Sequence, residues 1–169
     1  LWTLSLPLAP GLQAERQLDG TRSPIENQNS KIENLVTLKL EIVTPEEKIY
    51  SEDVTMVTLP GSEGELGVYP KHVPLLTTLK PGELRVIKEG REISMAVGEG
   101  FVEIKADGVS VLTDMALEAE KIDLAAAEAA VERAQAAMKE DHGTEEVAAI
   151  QASLQKALAQ LHVKRRRHH

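Results

Sequence analysis

The chain has no cysteine among its 169 residues, which removes disulfides, thiolate nucleophiles and cysteine-based metal centres from consideration. Aromatic residues are nearly as scarce, with one Trp, two Tyr and one Phe. A core must then be built from Val, Ile, Leu, Met and Ala, and few rings are left on which bases or sugars could stack. Basic residues are the minority, 19 against 27 acidic, and the net charge of −8 repels nucleic acid phosphates. The one local exception is the run from Lys164 to Arg167. No apolar stretch approaches the roughly 20 residues that cross a bilayer as a helix. A role at a membrane would require another subunit to hold this chain there.

What is present divides by period. Residues 1–34 show no hydrophobic periodicity and turn rich in Asn, Gln, Ser, Pro and charge, the composition of a disordered extension. Its start, "LWTLSLPLAPGL", resembles a short signal core but has neither a preceding basic segment nor a small-residue cleavage site. From residue 35 the period is two: Val36, Leu38, Leu40 and Ile42 alternate with polar residues, the pattern of a strand with one buried face. The signature recurs at Val54 and Met56, Leu84 and Val86, Ile93, Met95 and Val97, Val102 and Ile104, and Val109 and Val111. Lys88-Glu89-Gly90-Arg91 and Ala106-Asp107-Gly108 separate these runs as turns in which Gly supplies a positive φ. Short strands at this spacing predict an antiparallel β-sandwich or barrel over residues 35–115.

Beyond residue 115 the spacing becomes three and four. Leu124, Ala127, Val131, Ala134 and Met138 form one helical stripe, and Val147, Ile150, Leu154, Leu158 and Leu161 a second. His142-Gly143-Thr144 lies between them, with Gly ending one helix and Thr144 capping the next. So short a connection predicts an antiparallel helical hairpin over 116–163, followed by a basic tail at 164–169. The first helix is rich in alanine, which favours helix but offers little apolar area per contact. The hairpin is therefore expected to dock only marginally on the sandwich and to move as an arm.

Chemistry-bearing constellations are sparse. Gly61-Ser62-Glu63-Gly64 lacks the Gly-Lys-Ser or Gly-Lys-Thr of a phosphate loop, and Glu63 and Glu65 would repel phosphate. His72 has no second histidine or paired carboxylate at a useful spacing, so it reads as structural or interfacial. His168 and His169 read as a solvated pair or as an adventitious metal-binding remnant. No nucleophile, base and orienting group come together in the pattern, and neither a catalytic residue nor a resident metal is expected.

The order Leu59-Pro60-Gly61, Gly64-Glu65-Leu66-Gly67-Val68-Tyr69-Pro70 and His72-Val73-Pro74-Leu75 closely resembles the signature of the epsilon-subunit family of F-type ATP synthases. Tyr69 stands where that family more usually has Leu. The likeness continues through "LKLEIVTPEEKIYSEDVTMVTLP", the turn Pro81-Gly82-Glu83-Leu84, and "AVGEGFVEI", in which Glu99 replaces a Gly. It covers residues 35 to about 162. The resemblance implies a β-sandwich followed by a helical hairpin, with no catalysis by the chain alone. It implies docking to a gamma subunit and a proton-carrying c-ring through a loop containing Gly61, Gly64, Glu65, Gly67, Val68, Tyr69, Pro70, His72 and Pro74. It further implies a hairpin that extends to the catalytic alpha and beta subunits and blocks ATP hydrolysis, with Lys156, Lys164, Arg165, Arg166 and Arg167 as the contacting cations.

Some members of that family bind ATP on the folded hairpin through Ile-Asp-x-x-Arg-Ala and a later Arg. Here Ile122, Asp123, Ala127 and Arg133 match, but Ala126 occupies the first Arg position. No cofactor is required, and ATP is expected as a weak regulatory ligand at most. The implied location is peripheral, on the cytoplasmic face of a bacterial cell membrane. The alternative is a free-standing nucleotide-sensing or adaptor protein of the same architecture.

Overall fold

A computed structural model describes residues 37–140 and 143–166, all within the compact unit Leu35–His169. The extension expected over 1–34, and also Val36, His142, Arg167, His168 and His169, lie outside the described residues.

Ten strands precede two helices. The strands are β1 (Leu38–Val43), β2 (Lys48–Val54), β3 (Met56–Gly61), β4 (Gly64–Val68), β5 (Leu75–Leu79), β6 (Gly82–Lys88), β7 (Arg91–Val97), β8 (Gly100–Ile104), β9 (Gly108–Thr113) and β10 (Ala116–Glu118). They hydrogen-bond in the order β10-β7-β6-β3-β5-β8-β9-β1-β2, with β4 paired to β3 off that path. The buried faces of these strands meet in one aliphatic core that includes Leu40, Ile42, Leu59, Leu84, Met95 and Ile104. Every pairing is antiparallel except β1 with β9, which run parallel with Leu40 opposite Val109.

Local chemistry departs from the sequence reading in two places. Val54 and Met56 are not one strand: β2 ends at Val54, and the Thr55 N–H donates to Ile87 O at 2.8 Å as the chain passes into β3. Gly108 does not supply a positive φ; among the described residues the positive-φ glycines are Gly64 and Gly90. At Gly108 the need is space, because a Cβ there would sit 3.1 Å from Lys39 O on the parallel neighbour.

The helices are α1 (Leu124–Ala137) and α2 (Thr144–Arg166). Asp123 caps α1, its Oδ1 accepting from the N–H groups of Ala125 at 2.9 Å and Ala126 at 3.2 Å. At the start of α2 the Gly143 carbonyl accepts from Val147 N at 3.0 Å, so Gly143 holds the cap position and Thr144 is already helical. Glu145 and Glu146 in the first turn and Lys164, Arg165 and Arg166 in the last complement the helix dipole.

Burial on α1 follows the expected stripe through Ala127, Val131 and Ala134, while Met138 is exposed. On α2 it does not. Leu158 and Val147 are exposed, and the buried residues are Ala157, Ala159 and Val163. The reason is two-sided packing, since α2 lies against both α1 and the β6–β7 surface and small side chains fit where neighbours approach from two directions. The contact with the sheet centres on Ala96, whose neighbours Met95 and Val97 point the other way into the sandwich core. Ala96 meets Ala119, Ile122, Ala127 and Val163 in a small second cluster, with Met115 and Leu117 at its edge.

Candidate functional site

The glycine- and proline-rich segment forms the β3–β4 hairpin and the loop after it. Gly61 pairs with Gly64 across a two-residue turn of Ser62 and Glu63, and Gly64 takes a φ of 130°. The hairpin is tied to the body by Ser62 N–H to Thr78 O at 3.0 Å and Lys80 Nζ to Ser62 O at 2.7 Å. Glu65 is exposed and pairs with Arg85 at 3.0 Å. Gly67 lies alongside Met56, where a Cβ would stand 3.3 Å from the Met56 methyl. Val68 turns into the core, so it anchors the loop instead of presenting to a partner.

Tyr69 and Pro74 are exposed; Pro70 and His72 are half-buried. His72 closes the loop on itself, with its Nδ1 at 2.7 Å from Val73 O and its backbone N–H donating to Tyr69 O at 3.2 Å. Lys71 adopts a φ of 66°, and its N–H donates to Ala106 O at 2.9 Å in the β8–β9 turn. These bonds fix the shape of the loop.

Beside this loop is a surface that the motif did not reveal. Leu76 (70% exposed), Phe101 (57%) and Leu112 (54%) project from the outer face of β5, β8 and β9, with Phe101 directly opposite Leu112 and Leu76 diagonal to Phe101. The single Phe of the chain is therefore outside its core. Val73 in the loop is exposed as well, whereas Leu75, opposite the buried Ile104, belongs to the inner face of β5. The signal was in the phase: with Val102, Ile104, Val109 and Val111 facing inward, Phe101 and Leu112 must face out.

The residues of the partial nucleotide pattern are kept apart. Ile122 is buried in the cluster beneath the hairpin, and the Asp123 carboxylate is engaged as the helix cap. Arg133 is ten residues further on, about 15 Å along the helix axis. Its Nε donates to Ala129 O at 3.2 Å, and it borders a groove of about 440 Å³ lined by Ala130, Ala134, Ala137, Ala149, Ile150 and Ser153.

The cations of α2 are engaged by the chain itself. Lys156 Nζ lies 2.5 Å from Asp114 Oδ2, and Lys164 Nζ donates to the carbonyls of Ala119 at 3.0 Å and Glu120 at 3.3 Å. Arg165 pairs with Glu128 of α1 at 2.9 Å. Arg166 reaches two strands, with Nη1 at 2.6 Å from Glu83 Oε2 and Nη2 at 3.0 Å from Glu92 Oε1. Its hydrogen bond to Glu83, then the charge of that carboxylate, holds the guanidinium pKa above its ordinary value. Arg166, Glu83 and Glu92 border a cleft of about 680 Å³ beside the β6–β7 turn, also lined by Glu52, Lys88 and Glu118.

Among the described residues no cluster of three or more His, Asp or Glu side chains could hold a metal ion, and no helix is long and apolar enough to cross a membrane.

Residues 37–119 match the family model of the ATP synthase delta/epsilon chain beta-sandwich domain, and residues 120–165 match that of the delta/epsilon chain long alpha-helix domain. The ATP synthase epsilon chain of Laribacter hongkongensis is 43% identical over 127 residues, covering 74% of this chain and 91% of the relative. That of Dehalococcoides mccartyi is 44% identical over 137 residues, covering 79% of this chain and 98% of the relative. Among solved structures, a chain of the Euglena gracilis mitochondrial ATP synthase OSCP/F1/c-ring assembly is similar with a TM-score of 0.64 and 27% identity, over 79% of this chain and 82% of that one. A chain of the Tetrahymena thermophila central stalk/c-ring shares the fold, with a TM-score of 0.57 at 13% identity over 75% of this chain and 96% of that one.

Proposed function

The chain belongs to the epsilon-subunit family of F-type ATP synthases, a non-catalytic subunit of that complex, and from this premise we propose that it docks its β-sandwich on the gamma subunit and the c-ring and rotates with them. Docking couples c-ring rotation to ATP synthesis in the catalytic head, and the helical hairpin acts as a movable brake on ATP hydrolysis. The complex holds the chain at the cytoplasmic face of a bacterial membrane.

The observation that carries the docking reading is the apolar face of Leu76, Phe101 and Leu112, which begins on the strand directly following the loop that exposes Tyr69 and Val73. Cross-strand apolar side chains on an outer sheet face gain most when a partner covers them, and such exposed patches mark interaction surfaces. The similar Euglena chain comes from an F1/c-ring assembly, which supports the same partners here.

The brake reading is supported by the small apolar contact under the hairpin and by the cations of α2, which become available to acidic surfaces of the catalytic subunits only when the hairpin leaves the sheet. ATP is proposed as a weak ligand at most. Ala126 supplies no guanidinium, and a hydrogen bond to a charged group contributes roughly 1.5–3 kcal/mol.

The test is association of purified chain with its cognate gamma-containing catalytic head. Phe101→Asp should weaken association at least ten-fold, since burial of a Phe side chain contributes about 1.5–3 kcal/mol and a buried unpaired carboxylate adds a further cost. Unchanged association would remove this face from the interface. If the unsubstituted chain does not associate, the adaptor reading replaces the rotor reading.

A further inference from the structure

Glu83 is the least exposed carboxylate in any ion pair of the described residues, its side chain only 8% exposed, although it stands on the outer face of β6. Its strand neighbour Leu84 faces the core and its partner across the ladder is Ala96, the centre of the hairpin contact. The docked hairpin is thus what covers Glu83. Covering it has opposing consequences. Oε2 gains Arg166 at 2.6 Å and has His162 Nε2 at 3.9 Å, while Oε1 is buried with no hydrogen-bond partner. A buried carboxylate with one engaged oxygen depends on its single strong partner, because an uncompensated buried charge is far costlier than an exposed one.

We infer that Glu83 and Arg166, with Glu92 and the Lys156–Asp114 pair in support, form a charge latch that sets whether the hairpin is docked or released. The inference rests on the proposed movable hairpin and names what holds and frees it. The latch spans the whole hairpin in sequence, from β6 and β7 to the last turn of α2. In the docked state it occupies Arg166 and Lys156, two of the cations that are proposed to contact the catalytic subunits, so docking and inhibition compete for shared charges. The stranded Oε1 keeps the latch from becoming permanent, since release returns that oxygen to water. Arg166 is 40% exposed, so screening by salt loosens the latch as well.

The test uses the isolated full-length chain and follows hydrogen–deuterium exchange of α2 amides, with the core strands as the internal measure of intact folding. Arg166→Ala, which loses the hydrogen bonds to both Glu83 and Glu92, and Glu83→Arg, which sets a like charge beside Arg166, should each speed exchange in α2 at least about ten-fold, the effect of even one charge-assisted hydrogen bond discounted for exposure. The double reversal E83R/R166E, made together with Glu92→Gln to remove the second carboxylate that faces position 166, should recover at least half of that change on a logarithmic scale, as expected for residues that interact directly. Lys48→Ala, which breaks the Glu41 pair at 3.0 Å away from the hairpin, should leave α2 unchanged. Raising salt from 0.05 to 0.5 M, concentrations that bracket the roughly 10 Å screening length at 0.1 M, should speed α2 exchange in the natural chain and less so in R166A. Unchanged α2 exchange in R166A, or a double reversal as fast as the faster single variant, would overturn the latch. Neither gamma nor a catalytic head is present, so a working latch with no inhibition in the complex would count against the brake alone.

Discussion

Val163 offers the cleanest way to measure how strongly the hairpin is held. It is fully buried, and it is the residue of α2 that enters the small cluster of Ala96, Ala119, Ile122 and Ala127. Val163→Ala removes two carbons from that contact, worth about 0.8 kcal/mol each, or about 1.6 kcal/mol before any cavity penalty. Because these carbons are covered by the docked hairpin, the loss falls on docking and raises the open population roughly fifteen-fold. Hydrogen exchange resolved by segment should show α1 and α2 accelerating by about that factor, with strands β1, β8 and β9 unchanged. Thermal unfolding of the sandwich should stay within about 3 °C, a shift below 1 kcal/mol for a domain of this size. If V163A destabilises strands and helices equally, the two halves unfold as one unit, and the separable arm is wrong.

Two further perturbations address the frame that carries the docking surface. Gly100→Ala should lower the melting temperature by more than about 10 °C, because the new methyl would collide with Leu112 O and stand 2.8 Å from Thr113 Cα, both backbone atoms that cannot move aside. No hydrogen bond of good geometry reaches the buried Tyr50 hydroxyl, but the Glu52 carboxylate approaches it closely, and burial, reinforced by Glu52 and then by the charge of Glu118, pushes its pKa up to about 12. Folding therefore favours the protonated phenol: its contribution is intact below the unfolded pKa of about 10 and is lost as pH rises towards 12. Tyr50→Phe should leave stability at pH 7 equal or slightly higher and reduce the loss between pH 10 and 12, checked by denaturant unfolding at each pH.

The β half was legible because a half-buried strand writes its orientation as alternation, and Leu38, Leu40 and Ile42 are inward as that pattern requires. The β2–β3 junction at Thr55 was not, since a corner keeps the alternation running while the hydrogen-bonding neighbour changes from β1 to β6. On α2 the larger side chains suggested one stripe, but the helix packs on two sides, and Ala157 and Ala159 are buried while Leu158 is exposed. In an alanine-rich hairpin size is a poor guide to burial.

The segment of the motif forms a hairpin and its following loop, as the turn residues predict, but the motif could not show that Val68 faces the core or that Phe101 and Leu112 lie opposite each other on the same side of the sheet. Nor could it pair Arg166 with Glu83, residues 83 positions apart that meet only through the return of α2 across β6. Basic residues at a helix end read naturally as free for a partner. In the folded chain Lys156, Lys164, Arg165 and Arg166 all have one already.

The central claim, a rotor subunit carrying a releasable brake, is tested most directly by ATP hydrolysis of the cognate catalytic head reconstituted with either the full chain or a chain ending at Glu118. Both should assemble with gamma, because the truncation leaves the sandwich and its apolar face intact, and only the full chain should suppress hydrolysis. Equal hydrolysis in two fully assembled complexes would contradict the brake, and failure of both chains to assemble would contradict the rotor assignment itself.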